Sequence, residues 1–366
     1  MRSCSQGEDM KPTEMLHRQG QSLWLDNITR GMLDSGKIQH YIDEYSVTGL
    51  TSNPSIFDAA IASGDYDHAI SKLAASGLKG EDLFFALAIE DLRRAADLFL
   101  PIYERTAGVD GWVSLEISPL LANDTERTIA AAKAIHAQAG RSNLFIKIPG
   151  TFEGLAAIET CIAEGIPVNV TLLFSADHYW AAAHAYQRGI ERRVAQGLDP
   201  VVGSVASVFM SRWDVAVANV VSTELRDRLG LAIGQDIYRA YRQSLDSETW
   251  QRLANAGARP QRLLWASTKT KGPDAPDTLY VHGLSAPLTI NTMPGATLEA
   301  FFDHGEVGYP LPTDGGNADE LLAQFAAQGV ECGALATKLQ LEGAEAFADS
   351  WKDLLSRIDA QATSQG

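Results

Sequence analysis

Eight apolar runs of strand length recur along the chain. They fall at 22–26 (SLWLD), 47–53 (VTGLTSN), 112–117 (WVSLEI), 143–148 (NLFIKI), 167–173 (PVNVTLL), 203–209 (GSVASVF), 262–267 (RLLWAS) and 288–293 (LTINTM). Helical patterns separate them. DTERTIAAAKAIHAQAG opens on an Asp/Thr cap signal and closes at Gly140, and SADHYWAAAHAYQRGIERRVAQG (175–197) carries an Ala and aromatic face. Strand, helix, strand without hairpin signals is the pattern of a parallel sheet. Eight such strands predict an α/β fold, a closed (β/α)8 TIM barrel. The rival, a doubly wound sheet, calls for a Gly-rich first turn, and SLWLDNITRG has none. Helical segments at 297–304, 318–328 and 333–362 are expected to pack across the barrel. No short-period repeat or Pro/Ser-rich linker divides the sequence. The expectation is one domain over 16–366, with C-terminal helices from about 318 and a disordered extension over 1–15.

The 366 residues carry 30 Lys plus Arg against 46 Asp plus Glu, a formal charge of −16. That balance repels nucleic acid and anionic lipid, so any bound phosphate needs a local basic pocket. Cys4, Cys161 and Cys332 are sparse, form no CxxC pair and fit a reducing compartment. MRSCSQGEDMKPTEM has no apolar signal region, Met10 is a candidate native start, and no run approaches the ~18 apolar residues of a membrane span. A cytoplasmic protein is expected.

Most of the runs carry polar groups toward their C-terminal ends: Asp26, Asn53, Glu116, Lys147, Asn169 with Thr171, Ser207, Ser267 and Asn291. Alternation puts Asn169 with Thr171, and Thr51 with Asn53, on shared faces. In a barrel the C-terminal mouth is where catalytic groups gather. Taken singly, Asn53, Ser267 and Asn291 fit helix caps or loop anchors equally well. Asp26, Glu116 and Lys147 fit either a buried ion-pair network or acid/base and nucleophile roles. Burial pushes a lysine's pKa down, which frees an amine to form a Schiff base with a carbonyl. No metal or other cofactor is needed for this, and the histidines, among them His178 and His184, show no metal-ligand spacing. Beyond two late strands, Arg212 and then Lys269 and Lys271, with Ser267 and Thr268, suit the phosphate corner of a barrel. GMLDSGK (31–37) has P-loop spacing, but Ile38 replaces the Mg²⁺-binding hydroxyl and the surroundings look helical, so nucleotide binding is not expected.

These motifs resemble the transaldolase family from about Leu16 to the end of the barrel. TSNPSIF (51–57) is similar to its strand-2 signature and NLFIKIPGTFEGL to its Schiff-base lysine signature. VNVTLLFS, SVFMSRWD and ASTK follow in the family's order. The resemblance implies that Lys147 forms the imine and that Asp26 is the acid/base for carbon–carbon cleavage. Glu116 would serve water-mediated proton transfer, with Thr171 holding that water. Asn53, Asn169 and Ser207 would bind the dihydroxyacetone unit, and Arg212, Ser267 and Lys269 the phosphate. The implied reaction moves dihydroxyacetone from sedoheptulose 7-phosphate to glyceraldehyde 3-phosphate, giving erythrose 4-phosphate and fructose 6-phosphate, in the non-oxidative pentose phosphate pathway. Two positions depart from the common pattern. Ile117-Ser118 stands where many members carry Val-Asp, and Lys269 where many carry Arg, a point charge in place of a bidentate fork.

Two other readings stand beside this one. A fructose 6-phosphate aldolase of the same superfamily would release dihydroxyacetone instead, though those relatives are shorter, tend to Gln at the place of Glu116 and favour Tyr at that of Phe209. A non-catalytic sugar-phosphate-binding barrel would have no use for the Asp26, Glu116 and Lys147 trio. Monomer and homodimer are both open. Some bacterial relatives are fused to a glucose 6-phosphate isomerase, and the polar end DAQATSQG is a candidate linker.

Overall fold

The computed structural model describes residues 10–364. Eight strands, β1 (Ser22–Asp26), β2 (Val47–Thr51), β3 (Val113–Glu116), β4 (Leu144–Pro149), β5 (Val168–Leu173), β6 (Ser204–Phe209), β7 (Arg262–Ala266) and β8 (Thr289–Met293), close into a barrel in chain order. Every neighbouring pair is parallel, with β1 pairing β8 to complete the ring. Each expected strand lies within a residue or two of its sequence run, and the (β/α)8 architecture is as expected.

The strand-to-helix turns are built by short polar side chains. Asn53 Oδ1 accepts from Ile56 N at 3.0 Å, Thr151 Oγ1 from Gly154 N at 3.1 Å and Ser175 Oγ from His178 N at 3.2 Å. Each caps the helix that follows its strand. Asp124 caps Thr125–Ala139, and Gly140 ends it in the left-handed conformation at φ 57°. The P-loop-like stretch forms two short helices, Arg30–Asp34 and Lys37–Glu44, around a left-handed Gly36. The stretch is therefore mostly helical and forms no phosphate-cradling loop.

Trp24 plugs the barrel axis. It shares the inward face of β1 with Ser22 and Asp26, is fully buried, and donates its indole N–H to Asp110 Oδ1 at 2.8 Å. Gly49 on β2 makes the room, since a Cβ there would lie 2.6 Å from the Trp24 ring. Space above Trp24 belongs to the mouth, and space below it to the far end.

The last helix, Cys332–Ser364, crosses the mouth. Gln340 Nε2 donates to the carbonyls of Gly150 (3.2 Å) and Leu172 (2.9 Å) at the ends of β4 and β5. Further along, Trp351 Nε1 donates to Glu81 at 2.8 Å and Arg357 pairs with Asp58 at 2.7 Å. The helix Ala318–Ala327 sits instead against Leu229–Asp246, held by two 2.9 Å bonds from Arg239 to Asp319. No helix among the described residues is long and apolar enough to cross a membrane. At the other end, the helix Pro12–Arg18 takes in residues expected to belong to a disordered extension. Pro12 at its first turn and the Glu14–Arg18 pair at 2.7 Å account for it. Residues 1–9, the rest of that extension, and Cys4 lie outside the described residues.

Candidate active site

A cavity of about 260 Å³ opens at the C-terminal mouth. Nine of the ten expected site residues line it: Asp26, Asn53, Lys147, Asn169, Thr171, Ser207, Arg212, Ser267 and Lys269. The tenth, Glu116, sits behind Lys147, facing a small void under Phe347. The β3–β4 register pairs Glu116 with Lys147 directly, and β4–β5 pairs Lys147 with Asn169. Neighbouring strands thus place amine, acid and amide side by side.

Lys147 is 6% exposed. Its Nζ donates to the Ser52 carbonyl at 2.7 Å and to Glu116 Oε2 at 3.2 Å. It is therefore paired, as the ion-pair reading held, yet it also borders open space. Burial raises the Glu116 carboxyl above its ordinary range, against the pull of Lys147 and with help from the charge on Asp26. Asp26 keeps contact with the cavity although it lies deep below the rim. Burial raises it too, opposed first by Lys147 and then by the Thr51 hydroxyl. Thr51 Oγ1 lies 2.7 Å from Asp26 Oδ1 and 2.7 Å from Thr292 Oγ1. Two acids of raised proton affinity beside one amine can hold and return protons.

The amides are oriented by their neighbours. Asn169 Nδ2 donates to Ser114 Oγ at 3.2 Å while its Oδ1 accepts from Ser207 at 2.6 Å. The oxygen of Asn53 is taken up by its cap and by Ser55 at 2.7 Å, which leaves the NH₂ group for the cavity. Asn53 is thus both a cap and a lining residue. Thr171 Oγ1 is buried without a hydrogen-bond partner among the described residues. A buried orphan hydroxyl calls for a water or a ligand oxygen.

Arg212, Ser267, Lys269 and Lys271 form the basic corner of the same cavity. The Arg212 guanidinium lies 5.2 Å from the Phe209 ring centre and 5.9 Å from that of Phe347. Among the described residues no carboxylate comes within 4.0 Å of it. Ser267 holds a left-handed backbone, φ 54°, and shares a 2.9 Å hydroxyl contact with Ser211. Asp214, two residues beyond Arg212, anchors this loop by accepting from the backbone of Leu229 (2.9 Å) and Gly230 (3.1 Å).

Asn291 is a correction to the strand-end set. It does not line the cavity, and its amide reaches the Tyr280 carbonyl at 3.4 Å outside the barrel. Thr292 takes the inward place, because β8 turns Ile290 and Thr292 toward the axis. Phe347 was missed altogether, since nothing in its helical pattern points to a site.

A parallel barrel whose mouth holds an amine between two acids, with a guanidinium that has no carboxylate within 4.0 Å among the described residues, is suited to chemistry on phosphorylated carbonyl compounds through an amine. The particular family follows from comparison with known proteins. The chain belongs to the transaldolase/fructose-6-phosphate aldolase family, whose model matches residues 23–358. It is 44% identical over 363 residues to a transaldolase of Arthrobacter sp. (strain FB24), covering 96% of this chain and 98% of that one. A transaldolase of Thermobifida fusca (strain YX) is 45% identical over 362 residues at the same coverage, 96% and 98%.

Proposed function

We propose that the protein is a transaldolase that carries a dihydroxyacetone unit between sugar phosphates on Lys147. The observation that carries this reading is the Lys147 amine, 3.2 Å from a buried Glu116 and open to a cavity that ends in Arg212. Passing the ammonium proton to Glu116, whose proton affinity burial has raised, leaves a neutral pair and a nucleophilic amine. The amine adds to the ketone carbon of the donor. Loss of water then gives a protonated imine, with Glu116 and a water on Thr171 moving the protons.

Asp26 takes the proton from the donor's C4 hydroxyl. The bond between C3 and C4 breaks, its electrons flow into the iminium, and an aldose phosphate leaves behind a neutral enamine. An incoming aldehyde reverses each step, with Asp26 returning the proton. Asn53 and Asn169 hold the hydroxyls of the three-carbon unit, and Ser207 fixes the Asn169 amide. Arg212, Ser267 and Lys269 hold the phosphate, and Lys271 adds charge. Sedoheptulose 7-phosphate and fructose 6-phosphate are the expected donors, as in the non-oxidative pentose phosphate pathway of the cytoplasm.

Borohydride reduction in the presence of fructose 6-phosphate tests this. A covalent three- or six-carbon adduct on Lys147, absent from Lys147→Ala, is expected by mass spectrometry. Unmodified protein at saturating sugar would point to a binding protein. Free dihydroxyacetone released without an acceptor as fast as the unit is transferred to one would point to an aldolase.

A further inference from the structure

Below Trp24 the barrel opens a second time. A cavity of about 490 Å³ lies at the N-terminal ends of the strands, bordered by Trp112, Phe145, Val205, Tyr241 and Leu288. The Trp112 and Phe145 rings stack there with centroids 4.0 Å apart and planes 18° off parallel. A well of this size, mostly apolar with a few polar groups, has the make-up of a small-molecule site.

Its charged groups decide what it takes. Asp110, the one carboxylate in the lining, is saturated. It accepts from Trp24 Nε1 (2.8 Å), Thr48 Oγ1 (2.9 Å), the Gly111 amide (3.1 Å) and Ser22 Oγ, so it has nothing left for a cationic ligand. Arg262 is spent on Ser22 (2.6 Å), Thr289 O (3.0 Å) and Val109 O (3.1 Å), with Asp110 at 3.8 Å. Arg259 differs. Among the described residues its side chain donates to the Ala107 carbonyl alone, and no carboxylate lies within 4.0 Å of it. The Tyr186 hydroxyl holds its backbone carbonyl at 2.6 Å. Arg259 is half-buried, and on a chain of net charge −16 a guanidinium beside an apolar well, with no counter-ion within 4.0 Å among the described residues, is suited to an anion.

We propose that this cavity is a second ligand site, separate from the catalytic mouth, which takes a small aromatic carboxylate. The ring enters the well walled by Val205, Tyr241 and Leu288, and the carboxylate meets the free N–H groups of Arg259.

Calorimetric titration of the full chain with 1-naphthoate tests this, using protein whose Lys147 has first been trapped with fructose 6-phosphate and borohydride so that the mouth is filled. One equivalent is expected to bind, as it does to the untrapped protein. Arg259→Gln should weaken binding about tenfold or more, the scale of one charge-assisted contact, while leaving sugar transfer unchanged. The cationic isostere 1-naphthylmethylamine should also bind at least about tenfold less tightly. Absence of binding overturns the proposal, whether the well is empty or covered by a second copy of the chain. So does loss of binding on trapping, which would put the probe in the mouth. Equal affinity for Arg259→Gln, or for the amine, overturns it as well.

Discussion

Thr51 donates its hydroxyl to Asp26 across 2.7 Å and so holds down the proton affinity of an acid that burial drives up. Asp26 must be ionised to take the hydroxyl proton, so kcat should fall as pH drops through its raised pKa, at higher pH than for an ordinary carboxylate. Thr51→Val removes a lowering influence and should move that acid limb higher still. The cost in kcat should be largest at low pH and shrink as pH rises. Matching kcat–pH profiles for the two proteins would refute the assignment.

Glu116→Gln keeps an acceptor near Lys147 but cannot take its proton. Imine formation should slow by about 100-fold at neutral pH, in line with loss of a general base. Trapping by borohydride should slow in step. Trapping that is equally fast in the variant at neutral pH would remove Glu116 from the mechanism.

Among the described residues Arg212 has no counter-ion within 4.0 Å, which leaves its charge available to a phosphate. For Arg212→Ala, KM for fructose 6-phosphate should rise by about 10- to 100-fold, the scale of one or two charge-assisted hydrogen bonds. An unphosphorylated acceptor such as glyceraldehyde should be used almost as well as before. A similar loss for the phosphorylated donor and the unphosphorylated acceptor would mean that Arg212 holds structure and not phosphate.

Gln340 ties the last helix to the carbonyls of Gly150 and Leu172 and so sets Phe347 over the mouth. Gln340→Ala should loosen that cover and admit water to the enamine. Water would then protonate the enamine carbon and hydrolyse the imine, so the share of turnovers ending in free dihydroxyacetone should rise several-fold. Product analysis at fixed acceptor concentration measures it. An unchanged share would show that the helix does not guard the intermediate.

Gly49→Ala forces a methyl to within 2.6 Å of Trp24 and 2.8 Å of the Trp112 carbonyl. Overpacking of this kind costs about 1–3 kcal/mol. Thermal or denaturant unfolding should show the loss. Stability equal to that of the parent would mean that Trp24 is free to move aside.

The barrel was legible because eight buried strands separated by helical patterns have few other ways to cover both faces of a sheet. Lys147 was legible for a related reason, since an ammonium in an apolar run needs an explanation. Asn291 misled because TINTM carries polar groups on both faces, and only the closed register tells Thr292 from its neighbour. Glu116 was found by type but not by depth: strand order puts it beside Lys147, while its place behind the amine depends on packing under Phe347. Phe347 itself comes from a helix some 200 residues beyond Lys147 in the chain, where helical spacing says only that one face is covered. The start of Pro12–Arg18 was overlooked although Pro and an i,i+4 charge pair announced it.

The tryptophan on the barrel axis has a kinetic meaning. With Trp24 stopping the bore, substrates and products share the C-terminal mouth, and on the proposed mechanism the leaving and arriving aldose phosphates use the same Arg212 corner. The first aldose must depart before the next arrives, so the two half-reactions have to alternate, with the three-carbon fragment stored on the enzyme between visits.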